Sequence, residues 1–220
     1  MNNPSVQTVR HDTAVEANKV LRNTYTLLAM SLAFSAVMAG ISGMLNLPHP
    51  GFLLMIVGFY GLLFGIHKTA NSGLGIVFVF ALTGFMGYTI GPILNMVVAN
   101  GGAEIVMMAM GGTALIFFAL SGYVLTTKKD MSFLGGMMVA GFVVLLVAVV
   151  ANLFLNIPAL GLAISALFIL FSSGAILLQT SEIIHGGERN YILATTTLFV
   201  SLYNIFISLL NLLMAFSGRD

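Results

Sequence analysis

The sequence predicts an all-α membrane protein, a bundle of seven transmembrane helices, and three observations predict it. Of 220 residues, 59% are apolar and 7% are charged, against roughly 25% charged in an ordinary soluble domain. Seven continuous apolar runs lie near the roughly 20 residues that cross about 30 Å of hydrocarbon. None has the alternating pattern of a membrane barrel, so each run must satisfy its backbone polar groups within its own helix. A soluble chain of this composition would expose apolar patches that water does not tolerate.

The runs are residues 24–45, 51–67, 74–98, 104–126, 133–155, 159–178 and 191–216. Residues 1–23 form a polar tail carrying Arg10, His11, Asp12, Glu16, Lys19 and Arg22. The run after it has the length of a span rather than of a secretory signal core, so it is expected to remain in the mature protein. The tail lacks a core-forming pattern and is expected to be mobile and accessible. The second run follows Asn46–Gly51 (NLPHPG), a proline-rich break. It reaches only about 24 Å, which predicts little tilt or an end inside the bundle. Asn71-Ser72-Gly73 turns into the third run, where Gly91-Pro92 removes a helix hydrogen bond and predicts a kink or break. Asn100-Gly101-Gly102 opens the fourth. Ser132 is the expected cap of the fifth, and Asn156 of the sixth, with Pro158 in its first turn. The organisation is therefore a cytosolic tail (1–23), one transmembrane domain (24–216) and a short C-terminal tail (217–220).

Charge gives the orientation. Lys and Arg fall in the N-terminal tail, at Lys68, at Lys128 and Lys129, and at Arg189, all on one side; the other side has only Arg219. The positive-inside rule then places the N-terminus in the cytoplasm and the C-terminus in the periplasm. A net charge of +1 supplies no nucleic-acid footprint. With no Cys, disulfides, thiolate metal sites and thiol nucleophiles are excluded.

The last two runs carry polar stripes. Thr197, Ser201, Asn204, Ser208 and Asn211 are spaced 4, 3, 4 and 3, and Ser165, Ser172 and Gln179 repeat every seven residues, which places each set on one helix face. Lipid cannot satisfy these groups, so both stripes should face protein or trapped water. Two readings are open: interhelical hydrogen-bond glue, which is the commoner, and a hydrated path between the helices.

No run has a charge in its middle third, where proton relays and ion paths usually show themselves. The chain also lacks a nucleophile elbow, an H-E-x-x-H helix and a Walker loop. No enzyme, cofactor or metal site is expected. Glu182, His185 and Glu188 have the i, i+3, i+6 spacing of a ligand helix, but Gly186-Gly187 should break the helix before Glu188 and leave an ordinary capped end.

Several segments, in this order and at these spacings, resemble the Bax inhibitor-1 family of seven-span membrane proteins. They are Thr83–Pro92 (TGFMGYTIGP), Gly112–Phe118 (GTALIFF), Lys128–Gly136 (KKDMSFLGG) and Leu178–Phe206 (LQTSEIIHGGERNYILATTTLFVSLYNIF). Asn18–Tyr25 (NKVLRNTY) and Ile183–Glu188 (IIHGGE) are most similar to bacterial inner-membrane members that modulate the FtsH protease. The resemblance implies a multi-pass inner-membrane protein that restrains an FtsH-type protease as a slowly processed competitor. Its cytosolic tail, including Arg10, Asp12, Glu16, Lys19 and Arg22, would be what the protease engages. The alternative that the resemblance carries is a pH-sensitive calcium or cation leak. Calcium-permeable members use a pair of buried aspartates, and those positions fall on Gln179 and Ser201 here. An amide facing a hydroxyl can neither share a titrating proton nor bind a divalent cation. A Gln179 to Ser201 hydrogen bond is the expected uncharged replacement, and Glu182 is a candidate acid at the cytoplasmic mouth.

Overall fold

The computed structural model describes the backbone of residues 4–218 and the side chains of residues 15–218. Seven helices follow one another among the described residues: α1 (Pro4–Met44), α2 (Gly51–Thr69), α3 (Gly73–Ala99), α4 (Ala103–Thr127), α5 (Leu134–Leu155), α6 (Pro158–His185) and α7 (Tyr191–Phe216). All seven are long and apolar enough to cross a membrane. Side chains such as Phe64, Leu115, Phe118 and Phe154 are exposed, which suits contact with lipid and not with water.

The helices correct several expectations. First, α1 starts at Pro4, so the segment expected to be a mobile tail is the beginning of one long helix. Pro is tolerated in a first turn, and Ala14, Glu16, Ala17, Lys19, Leu21 and Arg22 are good helix formers joined to a span that is already helical. Second, α2 is 19 residues long, enough for about 28 Å, and it does not end inside a bundle, since only Ile66 along it is buried. Third, Phe133 and not Ser132 occupies the N-cap of α5, without a side-chain cap bond. Asn156 closes α5 in a left-handed conformation instead of opening α6, and Asn152 Oδ1 receives the Ile157 N–H at 3.1 Å. Fourth, of the kink or break expected at Gly91-Pro92, the break does not occur, since α3 continues through Pro92.

The chain divides into two compact units, residues 1–96 with 182–199, and residues 97–181 with 200–220. In the first, the tight element is the crossing of α1 and α3. A Cβ on Gly87 would lie 2.2 Å from the Ser35 carbonyl oxygen, and one on Gly91 would lie 2.5 Å from that of Ala39. The two glycines let one backbone rest on another, as small residues do wherever membrane helices pack closely. On α2, Gly61 and Gly65 have the same four-residue spacing, but Gly61 has open space at its Cβ position. α2 is held against α3 by rings lying over glycines, Phe85 on Gly58 and Phe78 on Gly65.

The same crossing explains why Pro92 is tolerated. Proline has no N–H, so the Tyr88 carbonyl four residues earlier loses its helical donor. Ser42 of α1 supplies one, its hydroxyl donating to Tyr88 O at 2.9 Å. A neighbouring hydroxyl is a recognised way to satisfy a carbonyl freed by proline in a membrane helix. Ser42→Ala is therefore expected to destabilise by about 1–2 kcal/mol. In a Pro92→Ala background, where a helical N–H is restored, the same substitution should cost less than half as much. Unfolding in mixed micelles of the four proteins checks this; equal costs in both backgrounds would show that the bond does not compensate for the proline.

In the second unit, α5 meets α6 where Phe171 lies against Gly141 and Met138 against Gly174, and α4 meets α7 where Leu209 lies against Gly112. Ser121 of α4 and Thr180 of α6 bring their hydroxyls to 3.5 Å. Every described Asp, Glu, Lys and Arg is exposed or half-buried.

Candidate functional site

The polar stripe of α6 is buried as its spacing predicts: Ser165, Ser172 and Gln179 are each at most 7% exposed. On α7, Ser201 and Ser208 are buried, Asn204 is half-buried, and Thr197 and Asn211 are exposed, so the α7 row is less uniformly enclosed. One direct bond ties the two stripes: Asn211 Nδ2 donates to Ser165 Oγ at 2.9 Å, and Ser165 Oγ donates to the Gly161 carbonyl at 3.1 Å. That is glue in the plain sense, an amide reaching back so that a buried hydroxyl is used twice. Ser181 extends the polar row toward the loop after α4, accepting from the Met131 N–H at 2.9 Å.

The expected Gln179–Ser201 bond is absent. Gln179 Nε2 is buried and has no hydrogen-bond partner among the described residues. An amide on one helix and a short hydroxyl on the next must match in height as well as in face, and spacing along each sequence reports only the face. An unsatisfied buried donor costs about 1–3 kcal/mol. Gln179→Leu is therefore expected to raise stability by about 1 kcal/mol, read as a higher unfolding midpoint in detergent. A lower midpoint would show that the amide is engaged in the folded protein.

Glu182, the candidate mouth acid, is exposed at the end of α6. Its backbone does the capping: the Glu182 carbonyl accepts from Gly187 N at 2.8 Å and from Glu188 N at 3.1 Å. Gly186 makes the turn at φ +77°, a left-handed conformation that only glycine adopts readily. The Glu182/His185/Glu188 spacing thus resolves into a helix terminus. Among the described residues, no group of three or more His, Cys, Asp or Glu could hold a metal ion. Of the tail residues, Glu16, Lys19 and Arg22 are exposed on α1, whereas the side chains of Arg10 and Asp12 lie outside the described residues.

Two polar features escape the stripe reading. On α1, Thr24, Ser31, Ser35 and Ser42 are all buried, with spacings of 7, 4 and 7 that a helical count along the first run would have detected. Thr24 contributes its carbonyl to Thr195 Oγ1 of α7 at 3.2 Å. The other is Asn190, in the connection from α6 to α7. Its Nδ2 donates to Ala70 O at 2.9 Å and to Asn71 Oδ1 at 3.0 Å, while its Oδ1 accepts the N–H groups of Ile192 and Leu193. One side chain thus caps α7 and ties two loops together. No local pattern distinguishes it from an ordinary N-cap.

A family model described as "Inhibitor of apoptosis-promoting Bax1" matches residues 17–218. A protein of Escherichia coli K12 named "Modulator of FtsH protease YccA" is 61% identical over 206 residues, covering 94% of each chain. In another E. coli strain, a protein with the same identity and coverage is named "Inner membrane protein YccA". A Pseudomonas aeruginosa protein is 58% identical over 93% of each chain.

Proposed function

This chain belongs to the Bax inhibitor-1 family, and from that membership we propose that it modulates an FtsH-type membrane protease, restraining it by contact and performing no chemistry of its own. The observation that carries this reading is the 61% identity, over 94% of both chains, to the E. coli protein named for that role. Placement in the bacterial inner membrane, with the N-terminus cytoplasmic and the C-terminus periplasmic, follows from the inner-membrane relative and from the distribution of Lys and Arg. Supporting a contact mechanism, the described charged side chains sit in the polar part of α1 before its apolar run, at the ends of other helices and in the connections, and the positions that the resemblance matches to the family's aspartates hold Gln179 and Ser201.

The geometry also refines how such a brake would work. The segment offered to the protease is continuous with the first span, because α1 runs unbroken from Pro4 to Met44. Pulling on it loads the α1–α3 crossing directly, where backbone rests on backbone. A grip that is easily taken and a bundle that yields slowly would keep the protease occupied. The test is turnover of the full chain and of a chain lacking residues 4–14, in membranes containing the protease. The shortened chain should persist longer and no longer slow the degradation of a reference membrane substrate. An unchanged lifetime, together with unchanged restraint, would rule out engagement through this end.

A further inference from the structure

A cavity of about 390 Å³ lies between the early turns of α1 and the connection from α6 to α7. Glu16, Lys19 and Val20 line it from α1, and Glu188, Arg189 and Tyr191 from the connection and the first residue of α7. Two carboxylates, an ammonium and a guanidinium therefore surround one space, yet among the described residues no ion pair joins any of the four. The two groups of the connection are held in place by their own backbone. Glu188 Oε1 accepts the Asn190 N–H at 2.7 Å, and Arg189 Nε donates to Gly186 O at 3.3 Å. Each keeps charge to spare, a second carboxylate oxygen in one case and the guanidinium Nη groups in the other.

Opposite charges that surround a cavity without meeting each other are complementary to a ligand carrying both signs. A purely anionic ligand would meet two carboxylates, and a cation would meet Lys19 and Arg189. The position adds a second constraint. Glu16–Val20 lie one to two helical turns before the apolar run of α1, and Tyr191 opens that of α7, so the cavity sits at headgroup depth, where aromatic and basic residues concentrate. The geometry points to a site for a zwitterionic phospholipid headgroup of the phosphoethanolamine class. Lys19 and Arg189 would hold the phosphate, Glu16 and Glu188 would take the primary ammonium, and Val20 would lie toward the glycerol and acyl chains. Choline fits less well, because its quaternary nitrogen has no N–H to donate to a carboxylate.

The test is native mass spectrometry of the full chain in detergent with phosphatidylethanolamine, phosphatidylcholine or phosphatidylglycerol of matched acyl chains. The ethanolamine lipid should be retained most strongly, by about tenfold over the other two, the worth of one charge-assisted hydrogen bond. Glu188→Gln should bring ethanolamine down to the choline level while leaving choline unchanged. Lys19→Gln should weaken both, and Arg22→Gln, outside the cavity, should change neither. Equal retention of the three lipids, or insensitivity to Glu188→Gln and Lys19→Gln, would overturn the site. Displacement of the bound lipid by water-soluble glycerophosphoethanolamine would make a free zwitterion the ligand and overturn the lipid assignment; no displacement supports it.

Discussion

Gly87→Ala should remove about 3 kcal/mol of stability, near the upper end of what overpacking a well-filled contact costs. The methyl group would stand 2.2 Å from the carbonyl oxygen of Ser35, and because backbone meets backbone, no rotamer change relieves the clash. α1 and α3 would have to move apart, weakening the Ser42 bond to Tyr88 O at 2.9 Å, farther along the same crossing. Gly40→Ala provides the control. It lies on α1 with nothing within 4 Å of its Cβ position, so the better helix propensity of Ala should be neutral or add about 0.5–1 kcal/mol. Unfolding midpoints of the two variants in the same micelles test the pair. Similar effects would show that the crossing is looser than described. On the proposed brake mechanism, Gly87→Ala should also be extracted and degraded faster by the protease.

The second large effect is expected at Asn190. Replacing it by Ala removes the cap of α7, typically worth about 1 kcal/mol, and both donor bonds to Ala70 and Asn71, for a total near 2–3 kcal/mol. Asn190→Asp separates the two contributions. A carboxylate still accepts from Ile192 and Leu193 N–H and suits a helix N-terminus, but it cannot donate to the Ala70 carbonyl. Its cost should therefore fall near half that of Asn190→Ala. Equal losses from both substitutions would assign the whole effect to the tie between the loops, and an unperturbed Asp variant would assign it to the cap alone.

The spans themselves were legible because a bilayer imposes length and apolarity on each helix separately. The run 191–216 coincides with α7, and 104–126 falls within one residue of α4 at each end. What a single helix face dictates was legible too: Ser165, Ser172 and Gln179 are all buried. Relations between helices were not. The missing Gln179–Ser201 bond depends on relative height, and the Ser42–Tyr88 bond depends on which helix crosses α3 at Pro92. Asn156 closing α5 instead of opening α6 reflects the freedom of Asn, which can adopt the left-handed conformation as well as cap an N-terminus. The helical state of the segment before residue 24 was not legible, because polar composition signals exposure and says nothing of backbone, whereas α1 shows that a polar segment continues a helix when nothing in it breaks it.

Whether this protein acts by occupying a protease, as proposed, and not by moving ions is decided by degradation of a reference membrane substrate in proteoliposomes containing a purified FtsH-type protease and increasing amounts of this chain. The rate should fall and saturate as the chain is added, with the chain co-purifying with the protease from the dissolved vesicles. An unchanged rate without co-purification, accompanied by a pH-dependent calcium flux in vesicles holding this chain alone, would contradict it.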